Sequence, residues 1–146
     1  MLRKIINTSS SWITIPLRLA LAAVFIAHGA QKVLGSFEGH GFKAWISGSV
    51  PFSFMRPAWL WLGAAALAEL VGGVLILFGF LTRIGAFLIA CVMVTAIVGK
   101  HWGSFFSPGG MEFPMSLLAL CLALLIGGGG QLSVDRALSS SGGKKR

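Results

Sequence analysis

Four apolar runs, each close to the length that crosses a bilayer, dominate this chain. A spanning helix needs about 20 mainly apolar residues. The runs cover residues 13–34, 58–80, 82–98 and 114–132. Of the whole chain 55% is hydrophobic and only 11% charged, with a mean hydropathy of +0.85. A soluble domain is about 25% charged. The composition therefore argues against a water-soluble globule, a disordered chain, a coiled coil and a disulfide-stapled secreted domain. The expected fold is all-α, an integral membrane four-helix transmembrane bundle.

Local punctuation sets the expected boundaries. The polar stretch Thr8, Ser9, Ser10 and Ser11 is placed to cap the first run, and Pro16 is tolerated in a first helical turn. Pro57 opens the second run. Gly79 is placed to end it, and Thr82 to cap the third. Pro114 opens the fourth, whose end is blurred by the glycine run 127–130, where helix propensity is poor. Two connections are long. Residues 35–57 carry Phe37, Phe42, Trp45, Phe52 and Phe54, and residues 99–113 carry Trp102, Phe105 and Phe106. Aromatic-rich, glycine-broken segments suit the membrane interface, so both are expected to fold over one end of the bundle as interfacial outer loops. The reading is one domain over residues 1–138, with a short surface helix after Leu132 and a flexible basic cytoplasmic tail at 139–146. Arg3 and Lys4 before an apolar stretch imitate a signal peptide, but that stretch outruns a signal core of about 7–15 residues, so an uncleaved first helix is expected.

Twelve Lys and Arg against four acids give a net charge of +8. The basic residues gather at the ends of apolar runs, which points to membrane orientation and not to nucleic acid. With four spans, both termini share a side with the short second connection. That side holds Arg3, Lys4, Arg83, Arg136, Lys144, Lys145 and Arg146, with Arg18 just inside it. The opposite side holds Lys32, Lys43, Arg56 and Lys100. The positive-inside rule places both termini in the cytoplasm. Cys91 and Cys121 lie in apolar runs without a CxxC pattern and read as small buried hydrophobes, a redox pair between them staying open.

Polar groups inside the spans carry the chemistry, because a charge near the bilayer centre normally faces the bundle interior and has a partner. Glu69 lies about 16 Å into the second span, at about 1.5 Å per residue. Its helical neighbours Ala65, Ala66, Gly72 and Gly73 form a small-residue stripe on which another helix can close. Glu69 reads either as a proton-accepting carboxylate or as half of a structural ion pair. Arg18 either snorkels or pairs internally with Glu69. His28 and Lys32 are four apart on one helix face. His101 ends the third span beside Lys100, and Glu112 precedes the fourth. Together Glu69, His28, Lys32, His101 and Glu112 are expected to line one outward-facing pocket, lidded by Trp45, Trp102 and Phe106. Glu69, His28 and His101 are the candidate proton-handling groups. Arg18, Lys32, Glu112 and Trp102 are the candidate ligand contacts. No metal-ligand motif is present, and a quinone suits such a site better than haem.

The same residues carry a family resemblance. The run from Arg18 through His28 to Gln31 and Lys32 resembles the first-helix signature of the DoxX family. So do Glu69-Leu70-Val71-Gly72-Gly73, Gly79-Phe80-Leu81-Thr82-Arg83, the segment holding Met93, Ala96 and His101, Gly110-Met111-Glu112-Phe113, and Leu132-Ser133-Val134-Asp135 after the glycine run. The similarity extends from about Pro16 to Leu138. It implies a four-helix protein of the bacterial or archaeal cytoplasmic (inner) membrane. Some relatives are linked to thiosulfate:quinone oxidoreduction, and a mycobacterial member to a complex with superoxide dismutase and a sulfurtransferase. The resulting expectation is a membrane subunit of a quinone-linked oxidoreductase system, working with other membrane or redox proteins and open to homo-oligomerisation. The alternative is a non-catalytic assembly protein or a small-solute permease component.

Overall fold

The computed structural model describes residues 6–106 and 109–141. The basic residues Arg3, Lys4, Lys144, Lys145 and Arg146 that entered the orientation argument lie outside these, as does most of the expected tail. Among the described residues all regular structure is helical. The order is α1 (Thr14–Val33), α2 (Gly41–Ile46), α3 (Ala58–Phe78), α4 (Thr82–Ala96) continuing into a π-helical turn (Ile97–His101), α5 (Glu112–Gly127) and α6 (Val134–Ser141). Three segments are long and apolar enough to cross a membrane: α1, α3, and α4 with its π-helical turn. The fourth run forms a helix of only 16 residues, about 24 Å at about 1.5 Å per residue. It stops at the glycine run, where Gly128 and Gly130 take φ of 71° and 69°.

The ends of these helices are built differently from the sequence expectation. The polar stretch before α1 serves α5 more than α1. The hydroxyls of Thr8 and Ser9 and the amide of Ser9 all donate to the carbonyl of Gly127, and Thr8 Oγ1 accepts from the amide of Gly130. Non-helical backbone near membrane depth must be satisfied by protein, and these residues do it. Gly79 does end α3, in the left-handed conformation at φ 64°, with the amide of Phe80 donating to Leu75 in the manner of a Schellman turn. Thr82 does not cap α4. The carboxylate of Asp135 does so from α6, accepting from the amides of Leu81 and Thr82 at 2.8 and 2.9 Å and from the Thr82 hydroxyl at 2.8 Å. A distant carboxylate thus takes the place of a local cap at the positive end of the helix dipole.

Small residues decide how closely the helices approach. α1 and α3 run antiparallel, with Gly29 against the backbone of Leu70 and Gly73 against that of Ile26. Gly72 of α3 and Gly85 of α4 meet in the same way, each against the other's carbonyl oxygen. The buried stripe of α3 is Gly63, Ala66, Glu69, Gly72, Gly73 and Ile76, so the small-residue face is indeed the packing face. Leu21, Phe25, Ile76, Ile89, Cys121 and Leu124 fill the interior. Cys121 is buried as expected. Cys91 instead lies exposed on the apolar surface of α4, and both thiols are free. Neighbours along a helix turn by about 100°, so an apolar run alone does not say which of its residues faces inward.

At the loop end of the bundle the first long connection folds back over the helices. Trp45 of α2 donates its indole N–H to the carbonyl of Leu62 at 2.8 Å, Phe42 lies over Gly63, and Pro51 packs on Gly99. The second connection is tied by His101, whose Nδ1 meets the carbonyl oxygen of Gly109, and by a backbone bond from Met111 to Ser104 of 3.0 Å.

Candidate functional site

The antiparallel register of α1 and α3 determines which charges can meet. Gly29 faces Leu70, and moving up one helix means moving down the other. Lys32, one turn beyond Gly29, therefore arrives at Glu69. Its ammonium makes an ion pair with the Glu69 carboxylate and reaches both oxygens. The Glu69 side chain is 4% exposed and that of Lys32 18%. Above them lies Trp45, with Lys32 Nζ 4.7 Å from its ring centroid. A desolvated cation gains from an aromatic face as well as from its counter-ion. The Trp45 ring is itself held by its bond to Leu62, one helical turn from the buried Ala66. The result is a carboxylate, an ammonium and an indole on three elements, stacked within the loop half of the bundle.

Arg18 does not join them. The expected pair with Glu69 is replaced by a set of backbone contacts at the opposite end. Arg18 Nε donates to Ile76 at 2.9 Å and Nη2 to Leu77 at 2.7 Å, in the last turn of α3. Nη1 donates to Gly129, Leu132 and Gln131 at 3.1, 3.2 and 3.4 Å. Ile76 is seven residues from Glu69, about 10 Å along the axis, which puts the carboxylate out of Arg18's reach. The guanidinium fork suits this task, because its several N–H groups can donate at once to carbonyls gathered at a helix end and a glycine loop. Arg83 does the same for α5, donating to Leu125 at 2.6 Å and Ile126 at 2.9 Å.

The other expected site residues do not converge. His28 is exposed on α1, although its neighbour Gly29 is buried. His101 is half-buried and engaged with Gly109. Glu112 is exposed in the first turn of α5. Trp102 and Phe106, expected as lids, are each 73% exposed. Of the five groups expected in one pocket, Glu69 and Lys32 meet, and of the three aromatic lids Trp45 covers them. Among the described residues no three His, Cys, Asp or Glu side chains gather as a metal site would need. An open cleft of about 740 Å³ lies along residues 48–58, and an apolar groove of about 440 Å³ follows Leu19, Ala23, Ala27 and Phe37. Neither is lined by Glu69 or Lys32. Sequence reasoning missed the part played by Asp135 and Arg83. Counting depth from the loop end does not match Lys32 to Glu69, since one lies two residues and the other eleven residues into its run; the axial offset of α1 against α3 brings them together.

Comparison with known proteins turns on these same elements. The sequence matches the DoxX family over residues 13–102, which takes in α1 to α4, the π-helical turn and the Lys32–Glu69–Trp45 set. The chain belongs to the DoxX family. It is 32% identical over 124 residues to a protein of Bacillus subtilis (strain 168) named "putative oxidoreductase CatD", covering 84% of each chain. No solved structure matches it. Family membership and the apolar helices together make this DoxX protein a multi-pass membrane protein.

Proposed function

We propose that this DoxX protein is a membrane subunit of a quinone-linked oxidoreductase system, and that Lys32 and Glu69 beneath Trp45 form its ligand-contacting group. The observation that carries the reading is a buried ion pair under an indole, its carboxylate about 16 Å along a helix long enough to span a bilayer. Such a pair is costly in hydrocarbon and typically marks a working site. The relative named as an oxidoreductase supports the class of reaction. In this reading the bundle crosses the cytoplasmic membrane four times, α5 included, with both termini in the cytoplasm.

The chemistry follows from the groups present. The Lys32 ammonium can donate to a quinone carbonyl oxygen, and the Glu69 carboxylate can take a proton from a quinol hydroxyl. The indole of Trp45 offers a face on which a quinone ring can stack. His101, at the loop end, offers a second proton acceptor closer to water. Quinone redox chemistry needs an electron carrier, which in this reading a partner protein or a bound cofactor supplies. Entry of a headgroup requires Trp45 and its loop to move aside, because the ion pair closes the site.

The test is purification in mild detergent or nanodiscs, with mass spectrometry of the extracted lipids and an absorption spectrum before and after dithionite. Stoichiometric quinone in the wild type, lost in a folded Glu69→Gln variant, is the expected result. Full retention of quinone in Glu69→Gln overturns the assignment of the site. A second reading is favoured by one observation: Lys32 and Glu69 satisfy each other, and neither residue lines the cleft before α3 or the groove along α1. The chain is then a non-catalytic assembly or permease component. A polypeptide partner, with neither quinone nor a reducible chromophore, would mark that case.

A further inference from the structure

The four described arginines are used unequally. Arg18 and Arg83 donate to backbone carbonyls at helix ends and in the glycine loop. Arg56 does not. It lies exposed on the rim of the open cleft before α3, and among the described residues its guanidinium has no acceptor. Ser49 and Ser53 line the same cleft, and neither hydroxyl donates to a described protein group. The remaining wall is apolar, formed by Val50, Phe52 and Pro57 among others. The cleft thus brings an arginine and two serines together beside an apolar wall.

Its depth in the membrane comes from an independent line. α3 has 21 residues, which is about 31 Å of helix, against a hydrocarbon core of about 30 Å. The start of α3, and with it Pro57 and the cleft, therefore sits at the boundary between hydrocarbon and headgroups. The aromatic residues agree. Phe54, Trp59 and Trp61 beside the cleft are all exposed, and so is Trp102 at the end of the neighbouring span. Exposed indoles mark that boundary.

We propose that this cleft is a phospholipid site. Arg56, with Ser49 and Ser53, holds the phosphate of a lipid headgroup, and the apolar wall takes the glycerol and the start of the acyl chains. A guanidinium matches phosphate oxygens in charge and in fork geometry. The site is separate from Lys32 and Glu69 and does not depend on the quinone reading.

The experiment is native mass spectrometry of the full chain in detergent, titrated with dioleoylphosphatidylglycerol and, separately, with inorganic phosphate. The wild type should retain the lipid. Arg56→Ala should weaken retention by about tenfold, the scale of one charge-assisted contact. Arg56→Lys should fall between them, because charge remains and the fork is lost. Circular dichroism and size exclusion report that each variant is folded. Equal retention in a folded Arg56→Ala variant overturns the site. An equal loss in Arg136→Ala, a basic residue at the other end, overturns it in favour of general surface charge. Displacement of the lipid by millimolar phosphate overturns it in favour of a soluble oxyanion.

Discussion

A β-carbon placed on Gly29 would lie 2.6 Å from the α-carbon of Leu70, so α1 and α3 touch backbone to backbone beside the buried carboxylate of Glu69. This contact sets the height at which Lys32 arrives. Gly29→Ala should separate the two helices and loosen the ion pair. Overpacking of this kind costs about 1–3 kcal/mol. Thermal unfolding in detergent measures it, and an unchanged midpoint would mean that the helices are not so closely packed.

Breaking the ion pair from one side should be worse than removing it altogether. Lys32→Met leaves Glu69, at 3% exposure, without its cation. One-sided loss of a buried pair costs about 3–5 kcal/mol. Adding Glu69→Gln removes the stranded charge and should recover most of that loss. A double variant as unstable as the sum of the two single ones would show that the two side chains are not coupled.

Arg18 and Glu69 should behave as independent sites, since they share no hydrogen-bond partner. In a cycle of Arg18→Lys and Glu69→Gln the coupling should stay within about 0.5 kcal/mol. Arg18→Lys alone should destabilise the chain by about 2 kcal/mol, because one ammonium cannot replace a fork donating to five carbonyls. A large coupling energy would restore the direct link between the two charges.

Asp135 holds the start of α4 from a helix more than fifty residues later in the chain. Asp135→Ala should cost about 2 kcal/mol, the upper range for loss of a helix cap. Asp135→Asn should cost less, because an amide oxygen still accepts one of the bonds. Hydrogen exchange at the amides of Leu81 and Thr82 reads this directly. Protection of both amides in Asp135→Ala would show that some other group caps the helix.

Much of the fold was legible because hydrophobic length and glycine placement act locally. The first three runs became α1, α3 and α4 with its π-helical turn, and Gly79 ended α3 where it was expected to. The face of α3 carrying Gly72 and Gly73 packed inward, since only small residues let backbones approach so closely. The fourth run was read too long, because three of the four glycines at 127–130 leave the helix even though their composition is apolar. The candidate site was legible only as an inventory. Glu69, Lys32 and Trp45 were on it, and they did meet. His28 was on it too, but it lies about 100° around the helix from Gly29 and faces out. Hydropathy carries no information about which way a single helix is turned.

The sequence by itself determined the medium and the menu: apolar helices long enough for a bilayer, broken by glycine and proline, with very few charges to be housed among them. The tertiary structure alone decided the pairing of those charges. Which cation answers Glu69 depends on the axial register and rotation of α1 against α3, and that register rests on a backbone contact between Gly29 and Leu70. A helix can slide one turn without changing its composition, yet each turn moves a side chain by about 5.4 Å. That distance separates an ion pair from two unrelated residues. It is why Lys32, and not Arg18, holds the buried carboxylate, and why Arg18 and Asp135 became clasps at the far end of the bundle.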